Sequence, residues 1–84
     1  MATANEVREY VLATFIKPAR QRGQRTVSFT SRDMHGGMGL KDRMPLVCSS
    51  IDADKFLDFA SVILMKRDGP KQSSTVRWTF DLQA

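Results

Sequence analysis

The sequence predicts one α+β domain over residues 1–84, with three or four helices and a small antiparallel β-sheet. Two patterns carry this prediction. Near the N-terminus, Val7, Val11 and Phe15 recur at the spacing of one helix face. From Thr75 to Leu82, polar and large apolar side chains alternate, as expected of a half-buried strand. Along the chain, the predicted order is helix, strand, helix, helix and then a two-stranded hairpin.

The first helix is predicted to begin at an Asn5 cap and to end near Lys17. Asparagine is a favoured N-cap residue, and Pro18 disfavours helical dihedrals in the residue before it. Residues 17–25, KPARQRGQR, then read as a basic linker. The short alternating segment TVSFT, Thr26 to Thr30, predicts the first strand.

A second helix is predicted from about residue 32 to residue 38, with Ser31 as its N-cap. Met34 and Met38 lie four residues apart and are expected to face inward. Gly39 is placed to close the helix in a left-handed conformation, which glycine adopts without a steric penalty.

A third helix is predicted after an Asp42 cap, with Pro45 in its first turn. Its inner face is formed by Val47, Cys48 and Ile51. Beyond that point the spacing changes, and Asp52 or Asp54 is interpreted as a second cap. Residues 43–60 can form one kinked helix or two short ones, and the apolar face of the second part comprises Phe56, Leu57, Phe59 and Ala60.

The C-terminal hairpin is predicted from two segments, the apolar run Val62–Met65 and the alternating run Thr75–Leu82. The intervening RDGPKQSS is too long for a two-residue turn. The tip of this hairpin is therefore long and basic.

Composition limits the classes of function. A chain of 84 residues with 42% hydrophobic residues can build one core but has little surface left for a deep substrate cavity, which disfavours an enzyme. The formal net charge of +4 favours anionic partners such as nucleic acid. No apolar run is long enough to span a bilayer, no signal peptide is recognisable, and one cysteine cannot form an internal disulfide. We therefore expect a cytoplasmic protein that does not bind a membrane.

The predicted order of elements resembles the winged helix-turn-helix family over nearly the whole chain. By this resemblance, MGLKDR (38–43) corresponds to the turn, DRMPLVCSSI (42–51) opens the recognition helix and KRDGPKQSS (66–74) forms the wing tip. In that family the recognition helix enters the major groove and the wing contacts the DNA backbone or the minor groove. The same segments are similar to small winged-helix modules associated with bacterial or archaeal restriction or defence nucleases.

The resemblance implies two groups of DNA-contacting residues. In the recognition helix and its approach these are Lys41, Arg43, Ser49 and Ser50. In the wing they are Lys66, Arg67, Lys71, Gln72, Ser73 and Arg77, whose donors suit phosphate oxygens. The expected partner is duplex DNA, together with a larger protein or nuclease subunit. The alternatives are a solvated charged surface, or a protein-interaction surface that uses Met44 and Leu46. The linker cations Lys17, Arg20, Arg22 and Arg25 add backbone contacts or merely solvate the linker.

No catalytic, metal-binding or cofactor-binding residues are predicted. His35 and Asp33 are two residues apart and so do not face each other on a helix, which favours a surface histidine. Cys48 lies at an inner helical position and is interpreted as a small buried side chain. The acidic residues Asp52, Asp54 and Asp58 lack the companions of a calcium loop, and the segment GGMGLK lacks the ending of a phosphate-binding loop. Caps and a solvated helix face explain the three carboxylates.

Overall fold

The computed structural model describes residues 3–69 and 75–82. Within them the chain forms four helices and a three-stranded antiparallel sheet. The first helix, α1, comprises Ala4–Val11, a π-helical turn at Leu12–Ile16 and a last segment at Lys17–Gln21. It is followed by strand β1 (Thr26–Thr30), helices α2 (Ser31–Gly37), α3 (Met44–Asp52) and α4 (Asp54–Ala60), and strands β2 (Ile63–Asp68) and β3 (Arg77–Asp81). The α+β class, the order of elements and the bounds of β1 agree with the sequence-based prediction.

Helix α1 begins earlier and ends later than predicted. Its cap is Thr3, not Asn5, because the Thr3 hydroxyl accepts the Glu6 N–H while the Glu6 carboxylate accepts the Thr3 N–H. The helix also continues through Pro18. In the π-helical turn before it, the Lys17 N–H donates to the Leu12 carbonyl, five residues back. This wider turn accommodates the proline ring, so residues 17–21 are helical and are not part of a linker.

Helix α2 is capped by Thr30, not by Ser31. The Thr30 hydroxyl accepts the Asp33 N–H, and the Asp33 carboxylate accepts the Thr30 N–H. Ser31 is the first helical residue and is fully buried. The predicted inward position of Met34 and the left-handed conformation of Gly39, with φ of 67°, are both confirmed.

The segment 43–60 forms two helices, which resolves the alternative left open by the sequence. They are separated at Ala53, whose backbone is extended at φ −74° and ψ 138°. Neither the predicted Asp42 cap nor the second cap at Asp52 or Asp54 is used. Asp42 has a left-handed φ of 55°, and the N-cap positions belong to Arg43 and Ala53 without side-chain hydrogen bonds.

The strand order in the sheet is β1-β3-β2, so the last strand lies in the centre. Its side chains Val76, Trp78, Phe80 and Leu82 are buried, as the alternating pattern predicts. The helices cover this face: Phe15 of α1 stacks on Phe29 of β1, and Phe56 of α4 packs edge-on against Phe80. The other sheet face carries hydroxyl and charged side chains, among them Ser28, Thr79, Lys66 and Arg77.

The apolar run that begins β2 is not buried, contrary to what its composition suggests. Ile63, Leu64 and Met65 are 56%, 41% and 57% exposed, because β2 is an edge strand whose pairing with β3 is interrupted between Leu64 and Lys66. Phe59 of α4 was expected on the inner face but is 45% exposed. Val62, by contrast, is buried in the core.

Candidate nucleic-acid interface

The start of α3 presents fewer polar groups than predicted. Lys41 and Ser49 are exposed and Arg43 is half-buried. The prediction that Ser50 faces outward is wrong, because Ser50 is only 1% exposed. Its hydroxyl donates to the Leu46 carbonyl, so that hydroxyl is bound within the helix. The Ser49 hydroxyl also donates to the Leu46 carbonyl, at 3.2 Å, but this side chain is exposed. Arg43, Lys41 and Ser49 therefore stay as the predicted contacts of this element.

Ser50 instead anchors α3 to α1 through its main chain. Its carbonyl oxygen accepts a hydrogen bond of 2.9 Å from Nε of Arg8, which is 6% exposed. A second Arg8 nitrogen, Nη1, donates to Oδ1 of Asn5. Arg8 is thus a structural cation, and its charge does not contribute an open surface contact.

Arg67, a predicted wing contact, is held by the protein itself. Its guanidinium donates two hydrogen bonds to the Asp52 carboxylate, at 2.8 and 2.9 Å, and a third to the Gly69 carbonyl. It also lies over the Trp78 ring, with 5.8 Å between the guanidinium carbon and the ring centroid. The hydrogen bonds to Asp52 raise the pKa of Arg67 above its ordinary value.

Asp52 links three elements and is not the cap or solvated side chain that the sequence suggested. Besides Arg67 of β2, its carboxylate accepts a 2.8 Å hydrogen bond from Nε1 of Trp78 in β3. Since Trp78 is fully buried, this bond satisfies an indole N–H that has no access to water. The C-terminal end of α3 is thereby fixed to the hairpin near its loop end, where Arg67 pairs with Trp78.

The remaining predicted wing residues fall into two groups. Lys71, Gln72 and Ser73 lie outside the described residues. Lys66 is largely exposed and lies 3.5 Å from the Asp68 carboxylate, a surface pair that contributes little to stability. Arg77 is exposed on the solvent face of β3, where Asp68 is its partner on the neighbouring strand.

Arg77 shares a cleft with a residue that the sequence reasoning missed. A solvent-open cleft of about 420 Å³ near the loop end of the hairpin, where Asp68 pairs with Arg77, is lined by Arg32 and Arg77, together with Thr30, Asp33 and Thr75. Pairing of Thr30 with Arg77 across the β1–β3 ladder brings these segments together. No local pattern could reveal this, since Arg32 and Arg77 are distant in sequence and meet only through strand register.

The basic segment 17–25 is only partly free to contact a ligand. Lys17, Arg22 and Arg25 are exposed. Arg20 instead donates from Nη2 to the carbonyl oxygens of Ala60 and Ser61, at 2.8 and 2.6 Å. These are carbonyl groups at the C-terminal end of α4, so Arg20 closes that helix as a structural cation.

No family model, curated protein or solved structure matches this chain. The functional interpretation therefore depends on the residues themselves.

His35 and Cys48, the side chains considered for catalysis, both lie within the packed structure. Nε2 of His35 accepts the Arg43 N–H at 3.2 Å, which ties α2 to the start of α3 and leaves His35 half-buried, in contrast to the surface position expected. Cys48 is fully buried, as expected. Within residues 3–69 and 75–82, no group of three His, Cys, Asp or Glu side chains is arranged to hold a metal ion. No helix in the same residues is long and apolar enough to cross a membrane.

The apolar residues proposed for protein contacts are not the ones that the structure exposes. Met44 and Leu46 are half-buried and pack against the core. The exposed large apolar side chains of the described chain lie at the end of α4 and in β2: Phe59, Ile63, Leu64 and Met65. An interaction through apolar contacts would use this second group, which no helical or strand periodicity singles out.

Proposed function

We propose that this chain is a winged helix-turn-helix module that binds duplex DNA chiefly through the phosphate backbone. The order of helices and strands, with a β1-β3-β2 sheet and a long C-terminal hairpin, supports the winged-helix assignment. The observation that carries the binding proposal is the pair Arg32 and Arg77, which lines one open cleft near the loop end of the basic hairpin.

The chemistry of this cleft suits a phosphate group. Each guanidinium presents a planar fork of N–H donors that can bind two phosphate oxygens at once. The neighbouring Thr30 and Thr75 line the same cleft, and so does Asp33, whose carboxylate accepts the Thr30 N–H and offsets part of the positive charge. Lys66, on the same sheet face, and Lys71, in the sequence between β2 and β3, would extend this basic surface along the DNA backbone.

Sequence-specific readout by α3 would be limited. The helix Met44–Asp52 contains no lysine or arginine, and its only acidic residue, Asp52, is paired with Arg67. The base contacts proposed for this element are Arg43, which is half-buried at the N-cap, and Ser49. Binding would therefore depend mainly on charge, as in the DNA-targeting part of a transcription regulator or of a restriction or defence nuclease.

The test is fluorescence anisotropy of the full chain with a labelled random duplex of about 20 base pairs, over salt concentrations from about 50 to 200 mM. We expect Arg32→Ala and Arg77→Ala each to reduce the log-log salt slope by about 1 and to weaken binding on every sequence. Lys55→Ala removes the same charge from the exposed surface of α4 and serves as the control. Absence of duplex binding at the lowest salt, or equal effects of all three variants, would refute the proposal.

A second candidate, a protein-interaction module, is favoured by the exposed side chains of Phe59, Ile63, Leu64 and Met65. Apolar side chains grouped on a surface mark sites of protein association. If this is the function, sedimentation velocity would detect self-association or a partner complex that Ile63→Glu abolishes. If the unmodified chain sediments as a monomer and Ile63→Glu leaves its DNA binding unchanged, self-association is excluded as the role of this surface.

A further inference from the structure

The two edges of the sheet differ in how they are protected from strand addition. The β2 edge has an irregular register between Leu64 and Lys66 and carries the charged residues Lys66, Arg67 and Asp68. Both features discourage another strand from pairing. The β1 edge, Thr26–Thr30, has neither: it pairs regularly with β3 over five residues and contains no charged residue and no proline.

The β1 edge also directs main-chain groups away from the sheet. The Leu82 N–H donates to the Arg25 carbonyl at 2.8 Å, and the Ser31 N–H donates to the Val76 carbonyl at 2.9 Å. Hydrogen-bonded residues alternate along an antiparallel ladder. These two bonds therefore show that the odd-numbered residues of β1 form the main-chain hydrogen bonds to β3. The N–H and C=O groups of Thr26 and Ser28 therefore point to the open edge, at the two-residue repeat that an added strand requires.

A cleft of about 450 Å³ lies beside this edge, between β1 and the second half of α1. Its volume falls within the range of about 300–1,000 Å³ that is typical of ligand clefts. The half-buried side chains of Phe15, Pro18 and Val27 supply apolar surface within it. An extended chain lying along β1 would place alternate side chains against this surface.

The charge around the cleft is positive. Arg22 is exposed and lines it, and none of its described lining residues is acidic. Lys17 and Arg25, which belong to the same basic segment, are also exposed. Complementarity therefore favours an occupant that carries carboxylates.

We propose that this cleft binds an extended, acidic peptide segment of a partner protein, which adds to β1 as a fourth strand. The main-chain groups of Thr26 and Ser28 would supply the ladder hydrogen bonds, and Arg22 would select acidic side chains. A nucleic acid could satisfy the positive charge but could not supply the alternating N–H and C=O groups of a strand.

The experiment is an NMR titration of the full, ¹⁵N-labelled chain with a blocked peptide of about eight alternating Glu and Val residues, long enough to span the five residues of β1. We expect the largest shifts and the strongest new hydrogen-exchange protection at the amides of Thr26 and Ser28. Arg22→Ala should weaken binding by about two- to fivefold, as for loss of one exposed ion pair. Lys55→Ala should leave binding unchanged.

Two further probes separate strand addition from charge attraction. A peptide of the same sequence with N-methylated alternate residues keeps every carboxylate but loses the donors on one edge, and it should not bind. Ser28→Pro removes an outward N–H that β3 does not use, so the folded variant should also lose binding.

The proposal fails if the Glu-Val peptide leaves the Thr26 and Ser28 amides unshifted at millimolar concentration. It also fails if the N-methylated peptide binds equally, or if duplex DNA protects these amides and competes with the peptide. DNA binding itself is tested by Arg32→Ala and Arg77→Ala, so the two proposals can fail independently.

Discussion

Replacing Asp52 by alanine should destabilise the protein more than any other substitution of an exposed acidic residue in the described chain. Asp52 lies at the surface, yet its carboxylate accepts hydrogen bonds from both Arg67 and the buried Trp78. The substitution removes both interactions while leaving the two donors in place. It therefore tests whether the end of α3 is fastened to the hairpin by this carboxylate.

The expected loss can be estimated from two contributions. An indole N–H left unsatisfied in the core costs about 1–3 kcal/mol, and Trp78 is fully buried. The Arg67–Asp52 pair, whose side chains are 24% and 31% exposed, contributes about 0.2–1 kcal/mol. Together these give about 1–4 kcal/mol. At about 4–8 °C per kcal/mol for a domain of this size, the melting temperature should fall by roughly 5–30 °C.

Urea unfolding followed by far-UV circular dichroism measures this loss of stability. It does not depend on the fluorescence of Trp78, which removal of Asp52 would itself alter. Asp68→Ala is the matched control because it breaks the exposed Lys66–Asp68 pair, and it should change stability by less than about 0.5 kcal/mol. Asp52→Asn keeps an oxygen acceptor for the indole N–H and should lose about 1 kcal/mol. If Asp52→Ala lies within about 0.5 kcal/mol of Asp68→Ala, the fastening role is refuted.

Two further pairs of substitutions test the helices that surround the interface. Gly36→Ala should stabilise the protein by up to about 1 kcal/mol, because Gly36 is helical and an added Cβ meets no atom within 4 Å. Gly37→Ala is the matched variant and should raise the stability less, or lower it, because its Cβ would overlap the Tyr10 hydroxyl. Equal increases in the melting temperatures of the two variants would contradict that close contact. Arg20→Ala should lower the free energy of unfolding in urea by about 1–3 kcal/mol, because two carbonyl oxygens at the end of α4 lose their charged donor. Arg22→Ala is the control and should leave the stability unchanged.

The sequence predicted those features of the fold that have a local cause. The period-two pattern of Val76, Trp78 and Phe80 requires one buried face, and the central position of β3 provides it. Cap positions were predicted less well. Thr3 and Thr30 form reciprocal caps with acidic residues three positions later, whereas the predicted Asn5 and Ser31 each lie one or two residues too late.

The π-helical turn allows the first helix to continue past Pro18, where a regular α-helix would end. Pro18 indicated a helix end, because a proline in a regular α-helix removes one hydrogen bond and clashes with the preceding turn. A wider turn at residues 12–16 avoids this cost, and nothing in the pattern of apolar residues distinguishes it from a helix end. The sequence therefore predicted that Arg20 lies in a linker, whereas it lies in the last segment of α1 and binds α4.

The arginines show why composition predicts a basic protein but not its basic surface. Arg8, Arg20 and Arg67 each bind acceptors 15 to 42 residues away, so their roles depend on tertiary contacts. Alanine substitution of all wing cations would therefore combine two effects, because the change at Arg67 releases Asp52 and weakens the fold. Arg32 and Arg77 are exposed and line the open cleft, so their substitution tests phosphate contact without that loss. A decrease in DNA affinity upon Arg67→Ala supports direct contact only if the free energy of unfolding is unchanged.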